Sequence, residues 1–545
     1  MAFLLMEHES SSEYDEQTTK NFFIGSHVKL TLADVKRFVI QGLSVTLSKE
    51  SYQAMDLSYQ YLKKRMDQRL PVYGLNTNFG DQSGLIDPHL HCENTSLYLE
   101  SISTRQRNIV KSLSCGIGNV VSSEIVKVTM LLRAHCLAQG YSGVTPNVLE
   151  TITAFMNADI VPIVRHYGSI GASGDLIPLS MIAAAMSGEN VDVLYRGETM
   201  KATEAIAKAG INQLNPMMRD GLALINGTSF MTAISSLALY DLKRLFKQML
   251  SVIAMSLESM LVITSAYNPL VHQLKLQKGE NAVNQFLLSF WEGSRLLSDL
   301  EEVRDANAAH HKEGVEKKFV KPVQDCYSIR SVSQGFGPFY ENIEKAIQWI
   351  ENEMNSVNDN PIIDAIQDKI YHSANFMGYY VTDSCDLLKM NIAQASTWLH
   401  ALLANMVHAR KNHQLPTNLV PNPAVNNGFR SLQLLAAALA VQNRKLAQSQ
   451  QAFSLPTEGD NQDVNSLGTH AAFDLQEAVA NLERLTAIML LASAQALELR
   501  GIEKASKRSQ KIFHIVRQYS PMLVTCRPMT DELYAIIGLL REERI

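Results

Sequence analysis

Three adjacent residues, Ala172-Ser173-Gly174, sit in the stretch HYGSIGASGDLIPLS (166–180), between a glycine-rich approach and an apolar run of helical character. Such a tripeptide can condense with itself: the Gly174 nitrogen attacks the Ala172 carbonyl, and Ser173 then loses its hydroxyl as water. The product is a methylidene-imidazolone, a strong electrophile. The attacking nitrogen must belong to a residue without Cβ on an already bent backbone, and Gly174, helped by Gly168 and Gly171, meets that demand. A plainer reading makes Ser173 a turn residue, with Asp175 capping the helix that begins at Leu176.

Other residue types with chemistry are scattered along the chain. Tyr73 presents a phenol directly before a glycine in VYGLNTNFG (72–80), where a tyrosine packed at a loop edge is the bland account. Asn226 closes the run in GLALINGTS (221–229), readable as a helix start or as a turn. QDCYSIR (324–330) groups the Gln324 amide, the Tyr327 phenol and the Arg330 guanidinium, which can clamp a carboxylate through two parallel hydrogen bonds or form a surface salt bridge. Asn360 precedes Pro361 in NSVNDNPIID (355–364), a natural helix stop. HSANFMG (372–378), containing Phe376, and TEGDNQD (457–463), containing Glu458 and Gln462, are polar islands between apolar helices. His372 reads as a structural histidine, and no grouping has the spacing of a metal site.

Elements must position these residues. A chain of 545 residues exceeds one ordinary core. Residues 1–23 begin apolar and turn acidic and Ser-rich, which predicts a disordered tail and argues against a secretory signal. From 24 to 221 short helical patterns mix with turns and with a hairpin over VDVLYRGETM (191–200). From 222 to 545 long helical segments dominate: 236–261, 339–357, 383–411, 429–448 and 473–501. They share no fixed period, so a bundle is expected rather than a solenoid. The most apolar stretches, 432–441 and 485–499, are shorter than the ~18 to 20 residues of a membrane span. Helices apolar on several sides need other helices or other subunits to cover them, which predicts a homo-oligomer. The formal net charge of −5, with both signs interspersed, argues against nucleic acid as a partner. Six cysteines without any CxxC read as buried thiols in a reducing cytosol.

Taken in order, VYGLNTNFG, GSIGASGDLIPLS, GLALINGTS, QDCYSIR, NSVNDNPIID, HSANFMG and EGDNQD resemble the motif series of the aromatic amino acid ammonia-lyase and aminomutase family, which includes histidine ammonia-lyase. The likeness runs from roughly residue 27 to 510. It implies a mainly α-helical fold of the fumarase/aspartase-like class, with an N-terminal domain bearing the tripeptide ahead of a long-helix bundle. It further implies a homotetramer whose sites draw on three subunits, and a 4-methylidene-imidazole-5-one (MIO) formed autocatalytically from Ala172-Ser173-Gly174 with no external cofactor or metal. In that likeness Tyr73 matches the catalytic base, its phenol made more acidic by positive potential from helix N-termini. Arg330 matches the carboxylate clamp, Asn226 and Tyr327 the groups around ring and amine, and Gln324 and Asn360 further polar contacts. Phe376 walls the aromatic pocket. Glu458 and Gln462 lie opposite the ring, where a histidine-specific enzyme would carry a carboxylate at the Gln462 position.

Substrate choice resembles a two-residue readout in RQRNIVKSLSCG (105–116), here Ser112 and Leu113. Phenylalanine enzymes of the family usually show Phe-Leu there, tyrosine enzymes His-Leu and histidine enzymes Ser-His. Leu113 suits a carbocyclic ring, and an imidazole would lack its polar partner both there and at Gln462. Several segments look most like bacterial phenylalanine ammonia-lyases, so phenylalanine is expected first and tyrosine second. A 2,3-aminomutase, histidine ammonia-lyase or a catalytically silent scaffold are the alternatives. Departures from the family pattern are Asn78 for a glycine, Ser373-Ala374 for a Gly-Gly pair, and Arg105 for an apolar residue.

Overall fold

Helix starts and stops follow local chemistry. In the computed structural model, which describes residues 21–310 and 321–545, strand β1 (Asn21–Ile24) pairs in parallel with β2 (Ser44–Leu47) across helix α1 (Leu32–Gln41). Thr31 opens α1: its hydroxyl accepts from the Asp34 N–H while the Asp34 carboxylate accepts from the Thr31 N–H, and Gly42 at φ +57 ends the helix. The tail expected over 1–23 lies outside the described residues up to position 20; residues 21–23 belong to β1.

Helices α2 (Lys49–Asp67) and α3 (Thr95–Leu113) follow, then β3 (Ile117–Val120), α4 (Ser123–Leu137), α5 (Pro146–Asn157), β4 (Ile160–Pro162), β5 (Arg165–Tyr167) and α6 (Leu176–Met186). The expected hairpin is β6 (Asp192–Tyr195) and β7 (Glu198–Lys201). Arg196 and Gly197 join its strands at φ +50 and +86, the two positive φ angles that a tight hairpin turn demands. β4 pairs with β6 to complete a three-stranded sheet, β3 pairs with β5, and α7 (Ala202–Ala209) and α8 (Asp220–Ile225) close this region.

Beyond it run α9 (Ser229–Ser259), α10 (Pro269–Lys275), α11 (Lys278–Phe290), α12 (Leu300–His310), α13 (Tyr327–Arg330) and α14 (Val332–Met354). The short hairpin β8 (Ile362–Asp364) and β9 (Lys369–Tyr371) comes next. Then come α15 (Tyr379–Val407), α16 (Arg430–Leu446), α17 (Gly468–Arg500), α18 (Lys507–Arg517) and α19 (Thr530–Arg541). Four of the five expected long helices begin earlier than their apolar periodicity, at 229 against 236, 332 against 339, 379 against 383 and 468 against 473. Tertiary partners make such extensions possible; the Met231 N–H in the first turn of α9, for example, donates to Asp175. At 1.5 Å per residue α9 is about 46 Å long and α17 about 50 Å. α17 packs among α9, α15 and α16 and is buried on nearly every side of its central turns, as an all-round apolar helix requires. At its crossing with α9 the Ser256 and Ser493 hydroxyls meet at 2.7 Å, so neither is left unpaired. Buried apolar residues form one continuous core from Phe22 to Leu540, with a smaller cluster around Leu62, Leu75 and Tyr98. No described helix is long and apolar enough to cross a membrane. All six cysteines are free; Cys136 and Cys385 are buried as expected, whereas Cys92 is partly buried and Cys115, Cys326 and Cys526 are exposed.

His135 on α4 ties the bundle to β1: its Nδ1 accepts from the Gly25 N–H at 3.0 Å. Burial lowers its pKa from 6.5 to about 4. The unfolded chain therefore takes up a proton near pH 6.5 that the native state refuses until about pH 4. The His135 contribution is full above pH 6.5 and falls as the pH drops through this window, by up to about 1.4 kcal/mol per pH unit. Because Asp175, Asp220 and His413 also titrate with shifted pKa values in this range, the slope should be read as the difference in stability between wild type and His135→Gln in denaturant titrations from pH 4 to 7.

Candidate active site

The loop 169–175 is bent by Gly171 and Gly174, at φ +68 and +70. A Cβ on Gly174 would fall 2.2 Å from the Gly227 carbonyl oxygen, so only glycine fits. The Asp175 N–H donates to that same carbonyl at 2.8 Å. Asn226, buried at the end of α8, donates from Nδ2 to the Ser173 carbonyl and hydroxyl at 3.0 and 3.1 Å. Its Oδ1 is buried without a partner among the described residues.

Three helix N-termini gather here. α6 starts directly after the loop and α9 directly after Thr228, while Leu467 and Ser466, which lead into α17, donate backbone N–H groups to Ile170 and Gly171 at 2.9 and 3.3 Å. Their partial positive charges lie against the loop 169–175. The expected role of Asp175 as cap of α6 is corrected: its carboxylate makes no capping bond to that helix. It accepts instead from the Met231 N–H (2.8 Å), the Ser169 hydroxyl (2.7 Å) and the Thr469 hydroxyl, stitching the loop to α9 and α17. Burial pushes its carboxyl up to about 6.

These features fit an MIO. Gly174 has the required backbone and no Cβ, Ser173 keeps a hydroxyl held by one side chain only, and the Asn226 oxygen is free to accept. Gly174→Ala should leave the chain at its unmodified mass and lower its stability by about 1–3 kcal/mol through left-handed strain alone. Intact mass spectrometry and denaturant melts of the variant check both outcomes.

Tyr73 lies on a loop keyed to the same frame. Gly74, at φ +71, lets the backbone approach Leu222 so closely that a Cβ would lie 2.1 Å from its Cδ2. Leu222 stands one turn before Asn226 on α8, and buried Gln106 joins the two segments by donating to the Gly74 carbonyl and accepting from the Leu222 N–H, at 2.7 and 3.0 Å. The Tyr73 hydroxyl accepts from the Gly80 N–H at 3.1 Å, and its ring meets Phe79 and His372 edge-on. Glu458 sits against Gly80, so Tyr73 and Glu458, far apart in the chain, share one neighbourhood.

The expected acidification of Tyr73 is not a property of the single chain. Burial raises its pKa above the usual phenol value; the Gly80 N–H and the Arg219 charge pull it down, and Glu458 pushes it up. Burial and the same Arg219 charge lower the His372 pKa below the usual imidazole value.

Asn360 belongs to this neighbourhood. Its carbonyl accepts from Arg219 at 2.6 Å and its Oδ1 from the Ser373 N–H at 2.8 Å. Phe376 follows on the same segment, half-buried. Gln462 accepts from the Thr457 hydroxyl at 2.9 Å across the turn that carries Glu458. Ser112 and Leu113 close α3, which packs on α6 and α8. Leu113 packs against the core, and the Ser112 hydroxyl donates to the Ile109 carbonyl of its own helix.

Gln324, Tyr327 and Arg330 lie apart from this set within one chain. Gln324 is exposed, Tyr327 is 74% exposed, and Arg330 lies over the Tyr327 ring at 4.8 Å in place of the surface salt bridge of the bland reading. Short helix α13 is anchored elsewhere, by Trp398 and Asn405 on Ser328 and by Tyr267 on the Ile329 carbonyl. Asn78 has no positive φ; Gly74 and Gly80 take the left-handed positions of its loop.

Sequence reasoning missed the fully buried Arg219–Asp359 pair, bonded at 2.9 and 3.1 Å beneath Asn360. It also missed Gln106 as a bridge and Arg133, whose guanidinium supports Gly227 and Asn358. The only local signal was charged residues abutting motifs, as in RDGLALINGTS.

Fold and site together define a mainly helical protein of the fumarase/aspartase-like class with a glycine-bent Ala-Ser-Gly loop at converging helix N-termini. The aromatic amino acid lyase family model matches residues 30–518. Histidine ammonia-lyase of Geobacillus thermodenitrificans is 31% identical over 516 residues, covering 95% of this chain and 96% of that protein. Phenylalanine aminomutase of Pantoea agglomerans superposes with a TM-score of 0.89 at 28% identity, over 95% of this chain and 99% of the other. Tyrosine aminomutase of Streptomyces globisporus does so with 0.87 at 27% identity, over 95% and 96%. The chain belongs to the aromatic amino acid lyase family. It is an enzyme of the ammonia-lyase type.

Proposed function

We propose that the protein eliminates ammonia from an aromatic L-amino acid, phenylalanine first and tyrosine second, to give the trans-cinnamate-type acid, using an MIO made from Ala172-Ser173-Gly174 with loss of two waters. The observation that carries this reading is the Asn226 side chain bonded to Ser173 inside a loop whose Gly174 admits no Cβ. The ring supplies an electrophile for the substrate amine, improving it as a leaving group.

Tyr73 takes the β-proton; the electrons of that C–H bond form the new double bond, and ammonia departs with those of the C–N bond. Tyr73 acts as base when positive potential outweighs its burial; Arg219 supplies part of that potential, and the three helix N-termini around loop 169–175 are the further source this reading assigns. Arg330 receives the substrate carboxylate, with its buried Nε, unpartnered among the described residues, as a donor, and Gln324 and Tyr327 stand beside it. Asn360 and Glu458 add polar contacts. Leu113 and Phe376 offer apolar walls, and Gln462 is an amide, so an imidazole finds no carboxylate there and a carbocyclic ring is preferred.

Tyr327 exposed beside Arg330, and the bare Leu434, Leu435 and Val441 on α16, support sites completed by neighbouring subunits of a homotetramer. Light scattering should give a tetramer mass; an active monomer would contradict shared sites.

Incubation with phenylalanine, tyrosine and histidine, followed by ultraviolet absorbance of the acrylate and chromatography for β-amino acids, tests the reading. Cinnamate from phenylalanine supports it; urocanate alone, or no product from any substrate, overturns it. One observation favours a 2,3-aminomutase as second reading: the Tyr73 loop is tied to α3 by several bonds, and through Gln106 of α3 to α8, and a loop that stays shut retains its product for readdition of ammonia. β-Phenylalanine as main product would select it.

A further inference from the structure

We infer that Arg105 and Asp87 form a latch that fixes the Tyr73 loop on α3, which makes Arg105 a positioning residue for the elimination. The loop leaves the core at Val72 and returns at Asp87. Along it, three consecutive residues are bonded to three side chains of one helix. The Gly74 carbonyl accepts from Gln106 at 2.7 Å, the Leu75 carbonyl from Arg105 at 3.3 Å, and the Asn76 amide donates to the Tyr98 hydroxyl at 2.9 Å. At the far end Asp87, its side chain wholly buried, accepts from Arg105 at 2.6 Å and from the Ser101 hydroxyl at 2.6 Å, both also on α3. Its Oδ1 accepts from the His89 N–H at 2.7 Å. Burial alone would raise the Asp87 carboxyl, but Ser101, Arg105 and the His89 N–H together hold it below the usual carboxylate range.

Arg105 is the only one of these α3 side chains that grips both the middle and the end of the loop. Its planar fork points one nitrogen at the Leu75 carbonyl and another at Asp87. A lysine can serve one of these acceptors well, and an apolar residue neither. α3 also packs on α6 and α8, which flank Ser173 and end in Asn226, and it closes with Ser112 and Leu113. The latch therefore references the Tyr73 hydroxyl to the same rigid body that holds Ser173 and the selector pair, as a preorganised site requires. Removing one partner leaves the other charge buried and uncompensated, and the loop is the element that gives way.

This inference rests on Tyr73 acting as the base. The test compares wild type with Arg105→Met, Arg105→Lys, Asp87→Asn and the Met/Asn double variant. Intact mass, kcat, KM and hydrogen exchange across 72–87 are measured on the full-length protein with phenylalanine or whichever aromatic amino acid it turns over. In Arg105→Met the two-water mass deficit should persist, exchange at 74–80 should accelerate, and kcat should fall by about 10²-fold with KM nearly unchanged. Lysine should restore part of kcat, and the double variant should be no worse than Arg105→Met because both changes break one interaction.

An unchanged kcat in Arg105→Met, or a lost kcat with wild-type exchange, overturns the latch. Should that variant not fold, Asp87→Asn and Arg105→Lys are judged by the same criteria. If the wild type turns over no aromatic amino acid, the proposed function fails, and the exchange data alone decide whether the latch holds the loop.

Discussion

Ser173→Ala is expected to abolish turnover, lowering kcat/KM by at least about 10³-fold, because it deletes the atom whose loss creates the electrophile. The wild-type polypeptide should weigh two water molecules less than its sequence, and the variant should show the full mass of its own. The substitution is structurally mild. Among the described residues the Ser173 hydroxyl bonds only to Asn226, whose Nδ2 keeps the backbone carbonyl of the same residue as a second acceptor. Asp175, Gly171 and the starts of α9 and α17 hold the loop without it. Circular dichroism and thermal melting of the variant should therefore match the wild type, which separates a lost reagent from a lost fold. A variant of full activity would remove the condensed ring from the chemistry altogether.

Tyr73→Phe carries the second large effect and divides the two jobs of the site. The ring contacts with Phe79 and His372 survive, and the Gly80 N–H loses one acceptor, at a cost of about 1 kcal/mol. Condensation of the tripeptide does not involve Tyr73, so the two-water deficit should remain. Elimination should slow by about 10² to 10⁴-fold, the range for loss of a positioned proton acceptor. The pH profile carries independent information. Because burial raises the phenol in the single chain, the wild-type rate should climb with pH as the phenolate forms, and this climb should vanish in the variant. An unchanged rate, or a climb that persists, would assign the base elsewhere.

Much of the architecture was legible along the chain. The VDVLYRGETM hairpin needs only an Arg-Gly turn between alternating strands, and the long helices need only sustained periodicity, so both are local properties. Gly174 was legible for a related reason: ring closure constrains the chemistry of three consecutive residues, whatever surrounds them. What failed depended on which distant group arrives first. Asp175 looked like the cap of α6 because that helix follows it, yet the buried N-terminus of α9 claims its carboxylate. Asn78 stands where the family pattern has a glycine, yet it takes no positive φ, because Gly74 and Gly80 absorb the turn. Arg105 looked like an oddity at an apolar position until Asp87, brought to it by the loop's return, made it half of an ion pair.

By itself the order of residues determined the tripeptide able to condense, the helical class and the set of polar side chains available to the site, since each is written in neighbouring residues or in their repeat. Only the tertiary structure decided that Tyr73, Asn226, Glu458 and Asn360 share one frame while Gln324 and Tyr327 stand exposed beside a half-buried Arg330 on a separate short helix, and that burial shifts the Tyr73 phenol upward. Proximity across hundreds of residues and the local dielectric are properties of packing, and packing is not a function of any short stretch of sequence.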